Sequence, residues 1–356
     1  MERSALEFLK KLIETPSPSG FEQPAQKLVR DRLKEVADEV RTDVHGNVIA
    51  VKNPDAPLRV MLAGHCDEIG LMITHIGNHE DDKGYLYFAC IGGIDPSILA
   101  GQRVEIHDRR GRVEGVIGKK AVHLMEPEER GKPSKIREYW IDIGAKDRRD
   151  ALRAVAVGDP ITLSRRFFEL RNGLVSGRGF DDRVGAWTVV ETMRRIRNVK
   201  LHCGVYGVST VQEEIGLRGA KTAAFGIEPH AGIAIDVGFA SDYPGADKKV
   251  IGDVSLGKGP ILHRGANINP VLAALMERSA RAARIPFQMQ AEPGATGTDA
   301  NAIQVNRAGA AAALMSVPNR YMHTPVEVCS LKDLDNGVNL LVATLRAMKP
   351  SQRFIP

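Results

Sequence analysis

Five short segments combine histidine with carboxylic acids in a pattern that suits a hydrolytic metal centre. They hold two histidines with several aspartates and glutamates, the ligand types that zinc, cobalt and manganese take in hydrolases. Each segment lies at the end of a predicted strand or in the loop beside one. Ligands of open α/β sheets bind beyond the carboxyl ends of the strands, so we expect these side chains to meet at one edge. The segments are residues 63–70 (AGHCDEIG), 177–185 (GRGFDDRVG), 211–216 (VQEEIG), 234–238 (AIDVG) and 321–325 (YMHTP).

The spacing inside two segments indicates how the chemistry is divided. In the extended run His65-Cys66-Asp67, alternate side chains project to the same side, so Asp67 can accept one ring N–H of His65. The other ring nitrogen is then available to a metal. In Glu213-Glu214, neighbouring carboxylates project differently, so one can bind metal while the other faces water as a general base.

Each segment taken singly also has a purely structural interpretation. A histidine at a strand end is ordinarily a hydrogen-bonded structural residue, and a pair of glutamates is typical of a solvated loop. Asp181-Asp182 suits a helix N-cap with a surface ion pair, although two adjacent acids are costly to bury without a cation. Asp236 before a glycine suits a turn. The joint occurrence of all five segments beside buried strands favours a metal site.

The complete set of motifs resembles the M42 family of dinuclear metal-dependent aminopeptidases. That family includes the tetrahedral aminopeptidases, the glutamyl aminopeptidases and proteins once labelled endoglucanase M. The resemblance covers essentially the whole chain. Its matching segments are AGHCDEIG, GRGFDDRVG, VQEEIGLRGA, IDVG, GTDA and HTPVE, which run from His65 to Glu327.

This resemblance implies two divalent metal ions per chain, zinc in the first place, with cobalt and manganese as alternatives. Glu213 would be the general base for a metal-bridging hydroxide, and Asp67 would orient His65. The peptide bond that follows Asp181 is often cis in related dimetal peptidases. The implied ligands are His65, Asp181 and Asp236 for one ion, and Glu214, His323 and the shared Asp181 for the other.

The implied reaction is hydrolysis of N-terminal residues from short peptides that carry a free N-terminus. We assign Arg218 and Asp299 to substrate binding, because both lie near the position where a pocket for the first side chain would form. For Arg218, a surface or interface ion pair is the alternative interpretation. The rival classes are another dimetal hydrolase, such as a deacylase or carboxypeptidase, and a non-catalytic scaffold. The preferred N-terminal residue and the native metal are not readable from the sequence.

The elements that position these residues alternate between helix and strand on both sides of a β-rich segment. We expect an α/β domain with a mostly parallel sheet, built from residues 1–70 and 171–356. Residues 71–170 contain short β-like runs separated by glycines and turns. The resemblance implies that this insert is a small β-barrel that drives dimerisation, and that dimers assemble into dodecamers. The apolar periodicity predicts two helices before residue 45, helices over 184–196, 270–283 and 331–348, and strands over 48–51, 58–63, 205–211, 232–237 and 311–317.

Composition excludes several other classes of protein. The 356 residues are 43% hydrophobic and 26% charged, which rules out a disordered chain. The net charge of +5 comes from scattered residues, so nucleic-acid binding is not indicated. Four widely spaced cysteines and the lack of a signal peptide favour a reducing cytoplasmic location. No apolar run approaches the roughly 20 residues that a membrane helix needs.

Overall fold

A computed structural model describes residues 1–108, 111–128, 130–164 and 167–356, which form two compact units. Unit 1 comprises Met1–Glu68, Phe167–Met322 and Val326–Pro356. Unit 2 comprises Ile69–Arg166 together with the short segment His323–Pro325. The assignment of residues 71–170 to a dimerisation domain stays a prediction.

The described residues form the following α-helices and β-strands. The helices are α1 Arg3–Glu14, α2 Gln23–Leu33, α3 Arg148–Ala154, α4 Phe180–Ile196, α5 Arg218–Ile227, α6 Lys248–Ile251, α7 Pro270–Ala282, α8 Asp299–Gln304 and α9 Leu331–Ala347. The strands are β1 Glu39–Thr42, β2 Val48–Lys52, β3 Arg59–His65, β4 Gly70–Ile76, β5 Leu86–Ile91, β6 Arg103–Asp108, β7 Gly111–Lys119, β8 Tyr139–Asp142, β9 Pro160–Leu163, β10 Phe168–Glu169, β11 Leu174–Gly177, β12 Gly204–Thr210, β13 Ala231–Phe239, β14 Ile261–Gly265, β15 Gln288–Glu292, β16 Ala311–Asn319 and β17 Glu327–Ser330.

Unit 1 is built on an eight-stranded sheet in the order β1-β2-β12-β3-β13-β16-β14-β15. The central strands β12, β3, β13 and β16 run parallel to one another, whereas β2 and β14 pair antiparallel at either side. Strands β3, β13 and β16 are almost entirely buried, as their continuous apolar sequences predict for strands covered on both faces. Because the four central strands are parallel, their carboxyl ends lie at one edge of the sheet.

Helices cover both faces of this sheet, and the alternation along β3 shows how. Val60 and Leu62 join the larger core with Trp187 of α4. Met61 and Ala63 project to the opposite face, where the smaller core packs. Successive residues of a strand point to opposite faces, so one strand supplies both cores. The larger core also takes residues from α1, α2, α7 and α9, and the smaller core takes residues from α5 and α8.

Unit 2 is a closed barrel of six antiparallel strands in the order β4-β5-β8-β7-β6-β9. Its interior is filled by apolar side chains such as Leu71, Phe88, Ile106 and Ile161. Closure pairs the edge strands with each other. The short helix α3 begins after Asp147, whose side chain accepts a hydrogen bond from the Asp150 backbone N–H.

The predicted mostly parallel α/β sheet and the predicted barrel are confirmed. One helix differs in extent, because α4 begins at Phe180 and not at Val184. Its first turn has non-helical torsion angles at Asp181 and Asp182, and an apolar periodicity cannot detect such an irregular turn. Within the described residues, no helix has both the length and the apolar character that crossing a membrane requires.

Candidate active site

The predicted site residues of unit 1 gather at the carboxyl edge of the parallel strands. His65 is the last residue of β3, and Thr210, which ends β12, is its partner in the strand register. Asp236 lies on the neighbouring strand β13, and Glu213 follows β12 in the next loop. The strand-end positions therefore bring together residues that lie up to 171 positions apart in the sequence.

Three carboxylates surround Nε2 of the buried His65. This nitrogen lies 3.2 Å from Asp181 Oδ1, 3.7 Å from Glu213 Oε2 and 4.0 Å from Asp236 Oδ1. On the other side of the ring, Nδ1 lies 3.1 Å from the Asp67 carbonyl oxygen and 3.4 Å from Asp67 Oδ1. Donation of Nδ1–H to Asp67 leaves the lone pair of Nε2 facing the carboxylates. This is the arrangement of a histidine that binds a cation.

The raised pKa values of the cluster indicate that its carboxylates require a compensating positive charge. Burial raises the pKa of Asp236 to about 8, with a further contribution from Asp181. Burial also raises the pKa of Glu213 to about 10, and Asp236 adds to that shift. Burial disfavours the charged imidazolium of His65, but Glu213 and the other carboxylates outweigh it and raise the pKa of His65 well above its ordinary value. Like charges this close stay ionised only when a cation compensates them.

Two groups of side chains have the geometry to hold such a cation. Within the described residues, one ligand atom from each member of a group lies within 4.8 Å of the others. A nitrogen and several carboxylate oxygens form the donor set that divalent zinc, cobalt and manganese accept. The residues therefore fit a divalent metal ion. The groups are His65, Asp182 and Asp236, and His65, Asp181 and Glu214.

Asp182 belongs to the first group, although the sequence analysis did not assign it as a metal ligand. Its Oδ2 accepts a hydrogen bond from the His65 backbone N–H at 3.2 Å, and its Oδ1 accepts one from Gly185 N–H at 3.0 Å. The peptide bond between Asp181 and Asp182 is cis, as the resemblance implies for dimetal peptidases. The Asp181 backbone N–H donates to Glu327 Oε2 at 3.1 Å. Asp182 is therefore held through its carboxylate, and Asp181 is held through its backbone N–H.

Asp67 holds the loop that carries the two glutamates. Its Oδ1 accepts a hydrogen bond from Glu213 N–H at 3.0 Å, and its Oδ2 accepts bonds from Glu214 N–H at 3.2 Å and Ser19 Oγ at 2.6 Å. Burial acts to raise the pKa of Asp67, but His65, together with the hydrogen bonds from Ser19 and the Glu213 backbone, outweighs burial and lowers it. The sequence predicted one function for Asp67, the orientation of His65. The hydrogen bonds add a second, the anchoring of Glu213 and Glu214.

His323 lies in the segment that groups with unit 2. Its Nδ1 donates to the Gly93 carbonyl oxygen at 2.8 Å. This bond selects the tautomer whose lone pair is on Nε2, as a metal-binding histidine requires. The predicted participation of His323 in the second metal site stays a prediction.

The two predicted substrate-binding residues have different environments. Arg218 is the exposed first residue of α5. Asp299 is 2% exposed, and its Oδ2 accepts a hydrogen bond from Thr210 Oγ1 at 2.6 Å. Burial raises the pKa of Asp299 to about 6. Both substrate assignments stay predictions.

A buried ion cluster beside the site was missed by the sequence analysis. Glu68 forms ion pairs with both Arg178 and Arg183, and the three side chains are at most 3% exposed. All three lie inside the motifs that carry the family resemblance. The sequence offered one indication of the cluster, which is that these charged residues lie in the same segments as His65 and Asp181.

Comparison with known proteins gives consistent matches over the chain. A sequence profile described as M42 glutamyl aminopeptidase matches residues 46–340. Lysyl aminopeptidase of Pyrococcus furiosus is 40% identical over 350 residues, covering 97% of each chain. A TET aminopeptidase of the marine sediment archaeon Thaumarchaeota archaeon SCGC AB-539-E09 has a TM-score of 0.92 at 35% identity, covering 97% of each chain. The TET1 peptidase of Pyrococcus horikoshii, which can assemble into a tetrahedron or a large octahedral shell, has a TM-score of 0.86 at 32% identity, covering 97% of this chain and 100% of that one.

The α/β fold, the cluster around His65 and these relatives together define a peptidase, a hydrolase of peptide bonds. The chain belongs to the M42 family of aminopeptidases. M42 peptidases are metal-dependent, in agreement with the cation-binding geometry of the two groups of side chains.

Proposed function

We propose that the protein is a dinuclear metal-dependent aminopeptidase that removes N-terminal residues from short peptides. The observation that carries the proposal is the convergence of Asp181, Glu213 and Asp236 on Nε2 of His65, at 3.2, 3.7 and 4.0 Å. Three acids and one histidine nitrogen in a buried space make a site for cations, and water activated there hydrolyses peptide bonds.

The proposed ligands follow the family pattern. His65, Asp181 and Asp236 would hold one ion, and Glu214, His323 and the shared Asp181 would hold the other. When bound, two divalent cations lower the pKa of a nearby water and neutralise negative charge that develops on the substrate carbonyl oxygen. Zinc is the first choice, with cobalt and manganese as alternatives, because all three accept nitrogen and carboxylate ligands.

Glu213 would act as the general base and then as the general acid. Its carboxylate takes a proton from the attacking water and delivers that proton to the leaving amine of the peptide bond. Two features support this role. The Glu213 backbone is held by Asp67, and its Oε2 lies 3.7 Å from His65 Nε2. Glu213 also lies outside both groups of metal-binding side chains found among the described residues.

The proposed partners are short peptides with free N-termini and further copies of the chain. The relative from Pyrococcus furiosus is named for lysyl substrates, and the TET1 peptidase of Pyrococcus horikoshii assembles into closed shells. We propose self-association through residues 71–170 into dimers and dodecamers, and a cytoplasmic location.

The test uses chelator-stripped protein with zinc, cobalt or manganese added back, assayed on aminoacyl-p-nitroanilides. We expect two metal ions per chain by elemental analysis and metal-restored cleavage of substrates with free N-termini. Replacement of Glu213 by Gln removes the base but keeps the size of the side chain. This variant should bind both ions and lose about 10²- to 10⁴-fold in kcat.

Two results would contradict the proposal. Turnover of Glu213→Gln close to that of the wild type would show that Glu213 is not the general base. Equal cleavage of acetylated and free substrates by the wild type would show that the enzyme does not select a free N-terminus and is therefore not an aminopeptidase.

A further inference from the structure

The carboxylate of Asp299 is buried at the active site with one oxygen bonded and the other not. Oδ2 accepts a hydrogen bond from Thr210 Oγ1 at 2.6 Å. Oδ1 is buried, and no hydrogen-bond donor among the described residues reaches it. Buried carboxylate oxygens normally have donors, because an unsatisfied charged acceptor is costly. Oδ1 can therefore accept a hydrogen bond from a donor that the described residues do not supply.

Asp299 is bonded to the strand partner of His65 and lies outside the metal-binding groups found among the described residues. Thr210, which binds Asp299, is the register partner of His65 across β12 and β3. The charge of Asp299 also contributes to the raised pKa of Glu213 and of Asp236. Neither group of metal-binding side chains found among the described residues includes Asp299. A negative charge at this position is therefore available to a cationic part of the substrate.

A structural explanation for the buried charge is not supported by its surroundings. The cap of α8 is Thr298, whose Oγ1 accepts a hydrogen bond from Ala300 N–H at 3.3 Å, so Asp299 is not needed to cap the helix. In the part of the chain that the structure describes, no lysine or arginine forms an ion pair with Asp299. The hydrogen bond from Thr210 at the end of β12 occupies Oδ2 alone, so neither helix capping nor an ion pair accounts for the second oxygen, Oδ1.

We propose that Asp299 Oδ1 binds the α-ammonium group of the substrate's N-terminal residue. The inference rests on the proposed function and names the side chain that recognises the free N-terminus. A primary ammonium carries three N–H donors, and its bond to a carboxylate shielded from water is strong. An acetylated N-terminus cannot supply that charge and leaves Asp299 unsatisfied, which gives discrimination against blocked peptides.

The test compares ligands that differ only in the amine. Leucine and 4-methylpentanoate share the same carbon skeleton and carboxylate, but 4-methylpentanoate lacks the α-ammonium. Their affinities for metal-loaded protein are measured by calorimetry, alongside kcat/KM on leucyl- and lysyl-p-nitroanilide. The variant Asp299→Asn keeps an acceptor for Thr210 and removes the charge. Asp55→Asn, an exposed turn residue, is the matched control.

We expect Asp299→Asn to weaken leucine binding by about 10- to 100-fold, the usual range for loss of a charged hydrogen bond, and to leave 4-methylpentanoate unchanged. The value of kcat/KM should fall by a similar factor on both p-nitroanilides. Asp299→Glu, which keeps the charge, should recover part of the leucine affinity. Asp55→Asn should match the wild type in every measurement.

Four results would overturn the inference. Equal weakening of leucine and 4-methylpentanoate would indicate a structural role, and a loss confined to the lysyl substrate would indicate a side-chain pocket. Loss of bound metal in Asp299→Asn would indicate an effect through the metal centre. If the wild type with bound metal were inactive, the proposed function would fail instead. An active wild type with an unaffected Asp299→Asn variant would reject this inference alone.

Discussion

At the scale of single residues, one buried glutamate compensates two buried arginines beside the active site. Glu68 pairs with Arg178 and Arg183, and its Oε1 also accepts a hydrogen bond from Ser17 N–H at 2.9 Å. Burial, together with Arg183, lowers the pKa of Arg178 well below its ordinary value. Arg183 Nη1 donates to the carbonyl oxygens of Leu12, Ile13 and Thr15, where α1 ends. The cluster therefore joins the end of α1 to the first turn of α4.

Replacement of Glu68 by Gln should destabilise the protein by about 3–5 kcal/mol, because it removes the negative charge with which both buried guanidinium groups form ion pairs. The measurement is urea unfolding of the metal-loaded protein. Glu228→Gln is the control, since Glu228 also faces two arginines, Arg59 at 3.8 Å and Arg307 at 3.0 Å, but is 52% exposed. That change should lower the free energy of unfolding by less than about 1 kcal/mol. An equal decrease in the two variants would show that burial does not determine how much Glu68 stabilises the protein.

The sequence predicted the residues around His65 better than the buried ion cluster. Histidine and acid segments at strand ends have a recognisable chemistry, and parallel strands bring their carboxyl ends together without further information. From the sequence alone, charged residues such as Glu68, Arg178 and Arg183 are expected at the protein surface. Their burial depends on three segments meeting in space, which no local pattern reports.

At the scale of elements, the position of α4 depends on two glycines. A Cβ atom on Gly64 of β3 would overlap the backbone of Gly185 and Ala186 in α4. A Cβ atom on Gly185 would overlap the carboxylate of Asp182. The absence of both side chains lets the beginning of α4, which carries Asp181 and Asp182, lie directly against the end of β3 beside His65.

Gly64→Ala should therefore move α4 away from β3 and damage the metal site. Overpacking of this kind costs about 1–3 kcal/mol. We expect a lower melting temperature and weaker zinc binding in competition with a chelator. Gly226→Ala is the control, because Gly226 is an exposed residue of α5 with open space at its Cβ position, where alanine favours the helix. Unchanged zinc affinity in Gly64→Ala would show that the close approach does not position the site.

At the scale of the whole molecule, the fold class was predictable and the grouping of one short segment was not. Alternating strand and helix patterns indicate a parallel α/β sheet, and glycine-separated β runs indicate the barrel insert. His323–Pro325, however, groups with the barrel although more than 150 residues separate it from β9. A sequence pattern describes neighbours along the chain, so it does not report a grouping that the tertiary structure alone creates.

The proposed self-association through residues 71–170 makes the last prediction. The barrel unit exposes Val122 at 55% and Leu124 at 71% two positions apart on one short turn of helix, and grouped apolar side chains, unlike single ones, are typical of an interface. We expect light scattering of the wild type to give a multiple of the 38.8 kDa chain mass. The double variant Val122→Asp, Leu124→Asp should shift the mass downwards, because an interface that buries two new carboxylates without partners is strongly weakened.

The control, Val44→Asp with Val250→Asp, changes two residues of unit 1 that are 109% and 78% exposed and should keep the wild-type mass. Dissociation of the control with an intact Val122, Leu124 variant would move the interface to unit 1, and a wild type with the mass of one chain would reject self-association.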